Sequence, residues 1–294
     1  MSVHLGVDIG GTKTLAVAAT PDGVVLGSHK VRTGKGNAAV LASVDEAAQG
    51  AMAAAGLTLA DLSTAGVGIP GAVFQGVVSH AVNLGVERME LAAELSARWG
   101  VSVVVENDVN VAAIGAWVLS GQEPRSMAYL NLGTGLAAGI ILDGKLWRGS
   151  RGAAGEIGHV SVDPAGPHGP DGLPGGLEAY AGGGGITHWV GDGRGAGEIL
   201  ADPACGHVRE ALFFGVASAI RVLVLTLDVD EVVLGGGVTR MGQVLVDGVN
   251  GCLNAWAAES AFLTSVDLSG RFRILESSTP VAPLGAAMMG AGRG

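Results

Sequence analysis

One short pattern occurs twice in this chain and restricts its fold more than any other feature. Val3 to Ile9 is apolar, Gly10-Gly11-Thr12-Lys13 follows, and Thr14 to Ala19 is apolar again. Farther on, Met127 to Leu132, Gly133-Thr134-Gly135 and Leu136 to Leu142 repeat that order. Each copy is followed by an Asp-Gly pair, Asp22-Gly23 in the first and Asp143-Gly144 in the second. An apolar run, a glycine turn and a returning run read as paired strands, and Asp-Gly marks the next reversal. The two copies match in pattern more than in identity. A pattern that returns in this way predicts two similar α/β lobes.

The rest of the chain fits that plan. Val24 to Val31, Ala65 to Ile69 and Val101 to Val105 read as further strands of the first lobe, with helices over Leu41 to Ala55 and Met89 to Trp99. After the second hairpin, helices are expected over Gly206 to Leu227 and Val238 to Ala258, with the strand Glu231 to Leu234 between them. The boundary is placed near Asn107 to Ala112. Residues 1–110 then form a small N-terminal lobe and 111–282 a larger C-terminal one, while a terminal helix, 283–294, packs back on the first. Ala165 to Gly185, dense in Gly and Pro, reads as an ordered surface loop.

Composition excludes several classes of function. With 294 residues, 48% of them hydrophobic and 15% charged, the chain has ample material for a core. Its 51 glycines show no three-residue period, which excludes collagen. A formal charge of −10 with no basic run makes it a poor nucleic-acid binder. Two cysteines, Cys205 and Cys252, are too few for a disulfide framework and suit a reducing compartment. The start lacks a signal peptide's basic and apolar regions, so a cytoplasmic protein is expected. The apolar stretch Ala211 to Val229 is interrupted by Arg221 and Asp228, and reads as a buried helix, not a membrane span.

Four clusters could carry chemistry. In Asp8-Ile9-Gly10-Gly11-Thr12-Lys13, glycines let backbone N–H groups converge on an anion and Thr12 adds a hydroxyl. The Walker spacing is absent and a strand follows, so this is not a P-loop. A lone Gly-Gly-Thr would be an ordinary hairpin turn, but Gly133-Thr134-Gly135 supplies a second, and two such turns suit a polyphosphate. Asp8 is a candidate for Mg²⁺, held through water, or a strand-end carboxylate bonded to turn amides. In Glu106-Asn107-Asp108, an apolar strand delivers polar side chains to its carboxyl end, where open α/β sheets bind ligands. Asp108 there can accept a proton from an attacking hydroxyl, or Asp108 or Asn110 can cap the following helix, and on the residues alone the two readings stand level.

Glu156, His159 and Glu178 are acidic and imidazole groups among glycines, suited to pairing with the adjacent hydroxyls of a sugar. A lone His159 would more often be structural. Gly235-Gly236-Gly237 after a strand admits a ligand closely at a helix start, or is a plain strand-to-helix connection.

Taken in order, these segments, with Gly68-Ile69-Pro70-Gly71, Asn83-Leu84 and Leu177-Glu178, resemble the ROK family of bacterial sugar kinases and repressors. The resemblance runs almost end to end. It implies the actin-like ATPase fold, two RNase-H-like lobes around a cleft for nucleotide and sugar. It implies a cytoplasmic ATP- and Mg²⁺-dependent kinase that phosphorylates the 6-hydroxyl of a hexose, with Asp108 as the base. Asn107, Glu156, His159 and Glu178 would hold sugar hydroxyls beside Asn83 and the Gly71 backbone. Both glycine–threonine turns would bind phosphates and Gly236 would lie near the adenosine. Homodimers are the family's habit, with no membrane or nucleic-acid partner.

Two departures qualify the substrate. The family's CxCGxxGC zinc motif is replaced, its cysteine positions being Gly169, Asp171 and Gly176, so no zinc is expected and the prolines at 167, 170 and 174 are expected to stiffen the loop. Val86 stands near where glucokinase-like members often carry tryptophan. An amino sugar such as kanosamine, N-acetylmannosamine or glucosamine is therefore the alternative acceptor. A sugar-sensing repressor is disfavoured because only seven residues precede Asp8, too few for a helix-turn-helix. A non-catalytic relative is disfavoured by the presence of Asp108 and both turns.

Overall fold

The computed structural model describes residues 2–169, 172–276 and 278–292. In chain order, β1 (His4–Ile9), β2 (Lys13–Ala19) and β3 (Val25–Arg32) lead to α1 (Asn37–Ala54) and β4 (Thr64–Ile69). Then come the short strands β5 (Ala72–Phe74), β6 (Val77–Ala81) and β7 (Val86–Met89), α2 (Leu91–Trp99), β8 (Val103–Asn107) and α3 (Asp108–Leu119). The second hairpin is β9 (Met127–Leu132) and β10 (Leu136–Leu142), followed by β11 (Lys145–Leu146). Helices α4 (Leu177–Ala181), α5 (Gly183–Val190), α6 (Ala196–Ala201) and α7 (Gly206–Leu227) precede β12 (Glu231–Gly235). The chain ends with α8 (Gln243–Ala258), α9 (Ala261–Val266), β13 (Phe272–Ile274) and α10 (Val281–Gly290).

These elements form two compact units. One comprises Met1–Glu123, Gly139–Ala153 and Ser277–Gly294, and the other Pro124–Ala138 and Ala154–Glu276. In the first, a five-stranded sheet has the order β3-β2-β1-β4-β8. β1 pairs antiparallel with β2 and parallel with β4, and β4 pairs parallel with β8. Side chains alternate between the two faces. Leu5, Val7 and Ile9 of β1 share a core with Val40, Val44, Ala47 and Ala48 of α1. The opposite face takes α10 at backbone contact: a Cβ on Gly6 would stand 1.8 Å from the Pro283 carbonyl oxygen, and one on Gly66 1.9 Å from that of Ala286. Only glycine admits so close an approach.

The second sheet has the order β11-β10-β9-β12-β13, which repeats the first position for position. β9 pairs parallel with β12, and β12 with β13. The repeated strand–turn–strand pattern is thus a repeated topology. In the second unit α7 packs against α4 and α8. Its Phe214 meets the rings of Tyr180 and Trp256 edge-on, with centroids 5.3 and 5.9 Å away. Among the described residues, the stretch Pro203–Leu227 is the one helix long and apolar enough to cross a membrane, and half of it is buried within the protein.

Several expectations need correction. Met89 lies in β7, part of a three-stranded sheet, β5-β6-β7, that the sequence reading passed over. Residues 165–185 are not loop throughout: α4 and the start of α5 occupy the part from Leu177 onward, with Gly183, Gly184 and Gly185 inside a helix despite their low helix propensity. Gly237 opens a 3₁₀ turn, Gly237–Met241, and α8 starts only after Gly242. Asp171, Pro170 and the last two residues of the expected terminal helix lie outside the described residues.

Candidate active site

In the first unit, three parallel strands bring their carboxyl ends together. Asp8 pairs with Gly68 and Gly68 with Glu106, so these residues form one row across β1, β4 and β8. Gly68 has no side chain to separate its neighbours: a Cβ there would lie 2.4 Å from Val111 Cγ2 and 3.6 Å from Asp108 Cα. Asp8 and Asp108 consequently sense each other. Burial, then the negative charge of Asp108, push the Asp8 carboxyl up to about 7, against the opposing pull of Lys13.

The start of α3 corrects the capping assignment. Neither Asp108 nor Asn110 is the cap. Asn107 is, its Oδ1 accepting from the amides of Val109 at 2.9 Å and Asn110 at 3.4 Å. Asp108 is the first helical residue and its Oδ1 accepts from Val109 N at 3.0 Å, so the helix N-terminus favours its negative charge. Asn107 Nδ2 reaches the Gly71 carbonyl at 3.4 Å, which joins two residues singled out separately in the sequence.

Glu106, part of that motif but given no role by sequence, organises the corner. It is 7% exposed. Its Oε1 accepts from Asn107 N at 2.8 Å and from Asn110 Nδ2 at 3.0 Å, and its Oε2 from Arg148 Nε at 2.5 Å. A buried carboxylate needs such donors, because leaving it unpaired costs several kcal/mol. The only prior signal was its place between an apolar strand and a helix.

The first glycine turn closes through Gly10 N to the Lys13 carbonyl at 2.9 Å. Thr33 braces it, its hydroxyl donating to the Gly10 carbonyl at 2.8 Å. Gly11 and Thr12 face outward, with Thr12 exposed. Asn83 stands beside the turn, since a Cβ on Gly11 would be 3.6 Å from Asn83 Cβ. Lys35, which the sequence reading did not single out, links them by donating to the carbonyls of Gly11 and Asn83.

In the second unit, the corresponding turn has Gly133 N bonded to the Gly135 carbonyl at 3.2 Å, with Thr134 exposed. The register Asn131↔Gly235 sets the ends of β9 and β12 side by side. A Cβ on Gly236 would stand 2.5 Å from the Leu132 carbonyl oxygen and 2.9 Å from Asn131 Oδ1. The structure therefore brings the Gly133–Gly135 turn and Gly235-Gly236-Gly237 together. Glu178 joins the same group: its Oε2 accepts from Leu136 N at 3.0 Å, the amide that follows the turn. Gly158 lies between Glu156 and His159, and a Cβ on it would be 3.3 Å from Glu178 Cβ. Glu156 and His159 are exposed and Glu178 is half-buried.

No three His, Cys, Asp or Glu side chains cluster as a metal-holding group among the described residues. Mg²⁺ does not require one, since it retains several waters and takes one or two carboxylates beside phosphate oxygens. The Asp8–Asp108 pair fits such an ion, whose charge would relieve the repulsion that raises Asp8.

Comparison with known proteins identifies the family. The ROK family pattern matches residues 4–289. The glucokinase of Pyrobaculum calidifontis is 32% identical over 87% of this chain and 82% of its own. The crystal structure of a ROK hexokinase from Thermus thermophilus superposes with a TM-score of 0.80 at 28% identity, covering 98% of both chains. A ROK family glucokinase from Streptomyces griseus, in complex with glucose and AMPPNP, gives 0.80 at 27% identity over 99% of this chain and all of that one. The fold is the actin-like ATPase fold that the family resemblance implied, and the paired hairpins are the two similar α/β halves read from the repeat. With matched sequence running almost from end to end, the chain belongs to the ROK family.

Proposed function

We propose that the protein is an ATP-dependent sugar kinase that transfers the γ-phosphate to the 6-hydroxyl of a hexose, with Asp108 as general base. The observation that carries this reading is the placement of Asp108, at the first turn of α3, beside Asp8 at the end of β1. Phosphoryl transfer needs an ionised carboxylate at the acceptor hydroxyl and an anionic position for the cation that accompanies the nucleotide. The α3 N-terminus favours negative charge on Asp108, and burial lets Asp8 hold the proton when no cation is present. The glucokinases among the relatives, one of them in complex with glucose and AMPPNP, support the same class of substrates.

Asp108 accepts the proton of the attacking hydroxyl as the oxygen–phosphorus bond forms. Asn107, Asn83, the Gly71 backbone, Glu156, His159 and Glu178 are assigned to the sugar hydroxyls. The turns Gly10–Lys13 and Gly133–Gly135 are assigned to the phosphates and Gly235–Gly237 to the adenosine. Asp8, with Asp108 beside it, would hold Mg²⁺ largely through water, and that ion when bound neutralises charge on the phosphate oxygens. A donor of this kind and two free cysteines fit a cytoplasmic enzyme.

The test is ADP release from ATP with a panel of glucose, mannose, glucosamine, N-acetylmannosamine and kanosamine. One or more of these hexoses should give sugar-dependent turnover. ADP release no faster with any sugar than with ATP alone would sink the reading.

A further inference from the structure

The segment that leads into Glu178 carries its own clasp. Residues 160–169 and 172–176 fold back on one another: Val162 N bonds the Gly175 carbonyl at 2.9 Å, Gly175 N that of Pro167 at 2.8 Å, and Gly166 N that of Asp163 at 2.9 Å. Leu177 N then returns to the Val160 carbonyl at 3.0 Å, closing the loop at the foot of α4. These are all contacts of the loop with itself or its ends. The side-chain tie between its interior and α4 is different: the Tyr180 hydroxyl donates to Asp163 Oδ2 at 2.8 Å. Asp163 Oδ1 meanwhile accepts from Ala165 N at 2.9 Å.

Both partners are held from behind. Tyr180 is buried at 6% exposure, packs edge-on to Phe214, and lies so close to α7 that a Cβ on Gly215 would stand 2.5 Å from its own Cβ. A Cβ on Gly166 would come within 2.3 Å of the Tyr180 oxygen, and one on Gly175 within 1.7 Å of the Asp163 carbonyl oxygen. The glycines therefore wrap the bond without space for a competing side chain. Burial and Asp163 push the Tyr180 hydroxyl up to about 12, so it remains a donor throughout the working range of pH. Glu178 precedes Tyr180 by two positions on a helix of only five residues, Leu177–Ala181. So short a helix has no stability of its own, and its direction follows from what fixes its side chains.

We infer that the Asp163–Tyr180 hydrogen bond is the positioning device that aims the Glu178 carboxylate at the acceptor sugar. This rests on the sugar-kinase reading above for its consequence, though not for the clasp itself. Tyr180 touches no reacting group and acts through Glu178.

The test uses the full-length protein with Tyr180→Phe, Asp163→Ala and Asp163→Asn. Tyr180→Phe keeps the buried ring and loses only the hydroxyl, and Asp163→Asn keeps an oxygen acceptor. Amide hydrogen exchange comes first. The Val162, Gly166 and Gly175 amides should exchange about tenfold faster in Tyr180→Phe and Asp163→Ala, and near the wild-type rate in Asp163→Asn. Unchanged exchange in Tyr180→Phe overturns the clasp, whatever the enzyme's activity. In kinetics, Tyr180→Phe and Asp163→Ala should raise the KM for the sugar about tenfold, with the KM for ATP and kcat within about twofold of wild type. Faster exchange with an unaltered sugar KM, or equal losses in all three constants, overturns the positioning role. A wild-type protein that phosphorylates no sugar removes the kinase reading instead, and exchange still decides the clasp.

Discussion

Replacing Glu106 by alanine takes the acceptor from three donors at once, and the loss divides unevenly among them. Asn110, 8% exposed, is left with a buried amide facing no carboxylate, and Asn107 N loses its partner at the helix start. Hydrogen bonds to a charged acceptor contribute roughly 1.5–3 kcal/mol each in buried positions. The Arg148 pair adds at most about 1 kcal/mol, because the Arg148 side chain is 45% exposed and its charge is screened. Glu106→Ala should therefore destabilise the protein by about 3–7 kcal/mol, Glu106→Gln by about 1–2 kcal/mol, and Arg148→Ala by less than about 1 kcal/mol. Urea unfolding at neutral pH, followed by circular dichroism, measures all three. Because Glu106 fixes the Asn107 backbone that starts α3, Glu106→Gln should also lower kcat about tenfold with a smaller change in sugar binding. Equal losses of stability in Glu106→Ala and Arg148→Ala would show that the surface ion pair, not the buried network, is what matters, and the argument for the corner would fall.

Two further outcomes follow from the site. The fold raises Asp8 from 3.8 to about 7, so the folded state holds a proton that the unfolded chain has released between those values, and stability falls as pH rises through that window. By about pH 8 the ligand-free protein should have lost up to about 4 kcal/mol that Asp8→Asn retains, so the variant should melt higher than wild type at pH 8 and alike at pH 4, by calorimetry; equal melting at both would refute the shift. Gly135→Ala would place a methyl group 2.6 Å from Glu178 Oε2 and displace it, so the sugar KM should rise about tenfold in steady-state kinetics, with no change expected if that carboxylate plays no part.

The parts of the fold that were legible in the sequence are those where local signals and burial agree. β9 and β10 fall where the apolar runs placed them, and Asp143 with φ 50° and Gly144 with φ 72° adopt the positive-φ turn that Asp-Gly favours. The sheet β5-β6-β7 was hidden because its strands are three to five residues long, and β6 and β7 mix polar with apolar positions. Helix α5 was hidden by its three glycines, whose weak propensity is overridden by packing on the turn: Gly183 N and Gly184 N bond the Gly133 and Thr134 carbonyls at 2.9 and 2.7 Å. At the site, the motifs were visible as residue types at strand ends, but the division of labour among Glu106, Asn107 and Asp108 was not. Three adjacent polar side chains give no sequence signal of which one caps, which one is buried and which one opens the helix. That is set by β8 ending at Asn107 and by Arg148, forty-two positions away, arriving at Glu106. The Asp163–Tyr180 bond was equally unreadable, since it depends on the path of a loop with no periodicity.

In the proposed reaction, the Asp108 carboxylate removes the proton from the attacking sugar hydroxyl. Comparing wild type with Asp108→Asn in two assays tests it: calorimetric sugar binding and single-turnover phosphoryl transfer from ATP. Binding should stay within a few-fold of wild type while the transfer rate drops by about 10²–10⁴. A variant that binds the sugar and transfers phosphate at the wild-type rate would contradict the assignment.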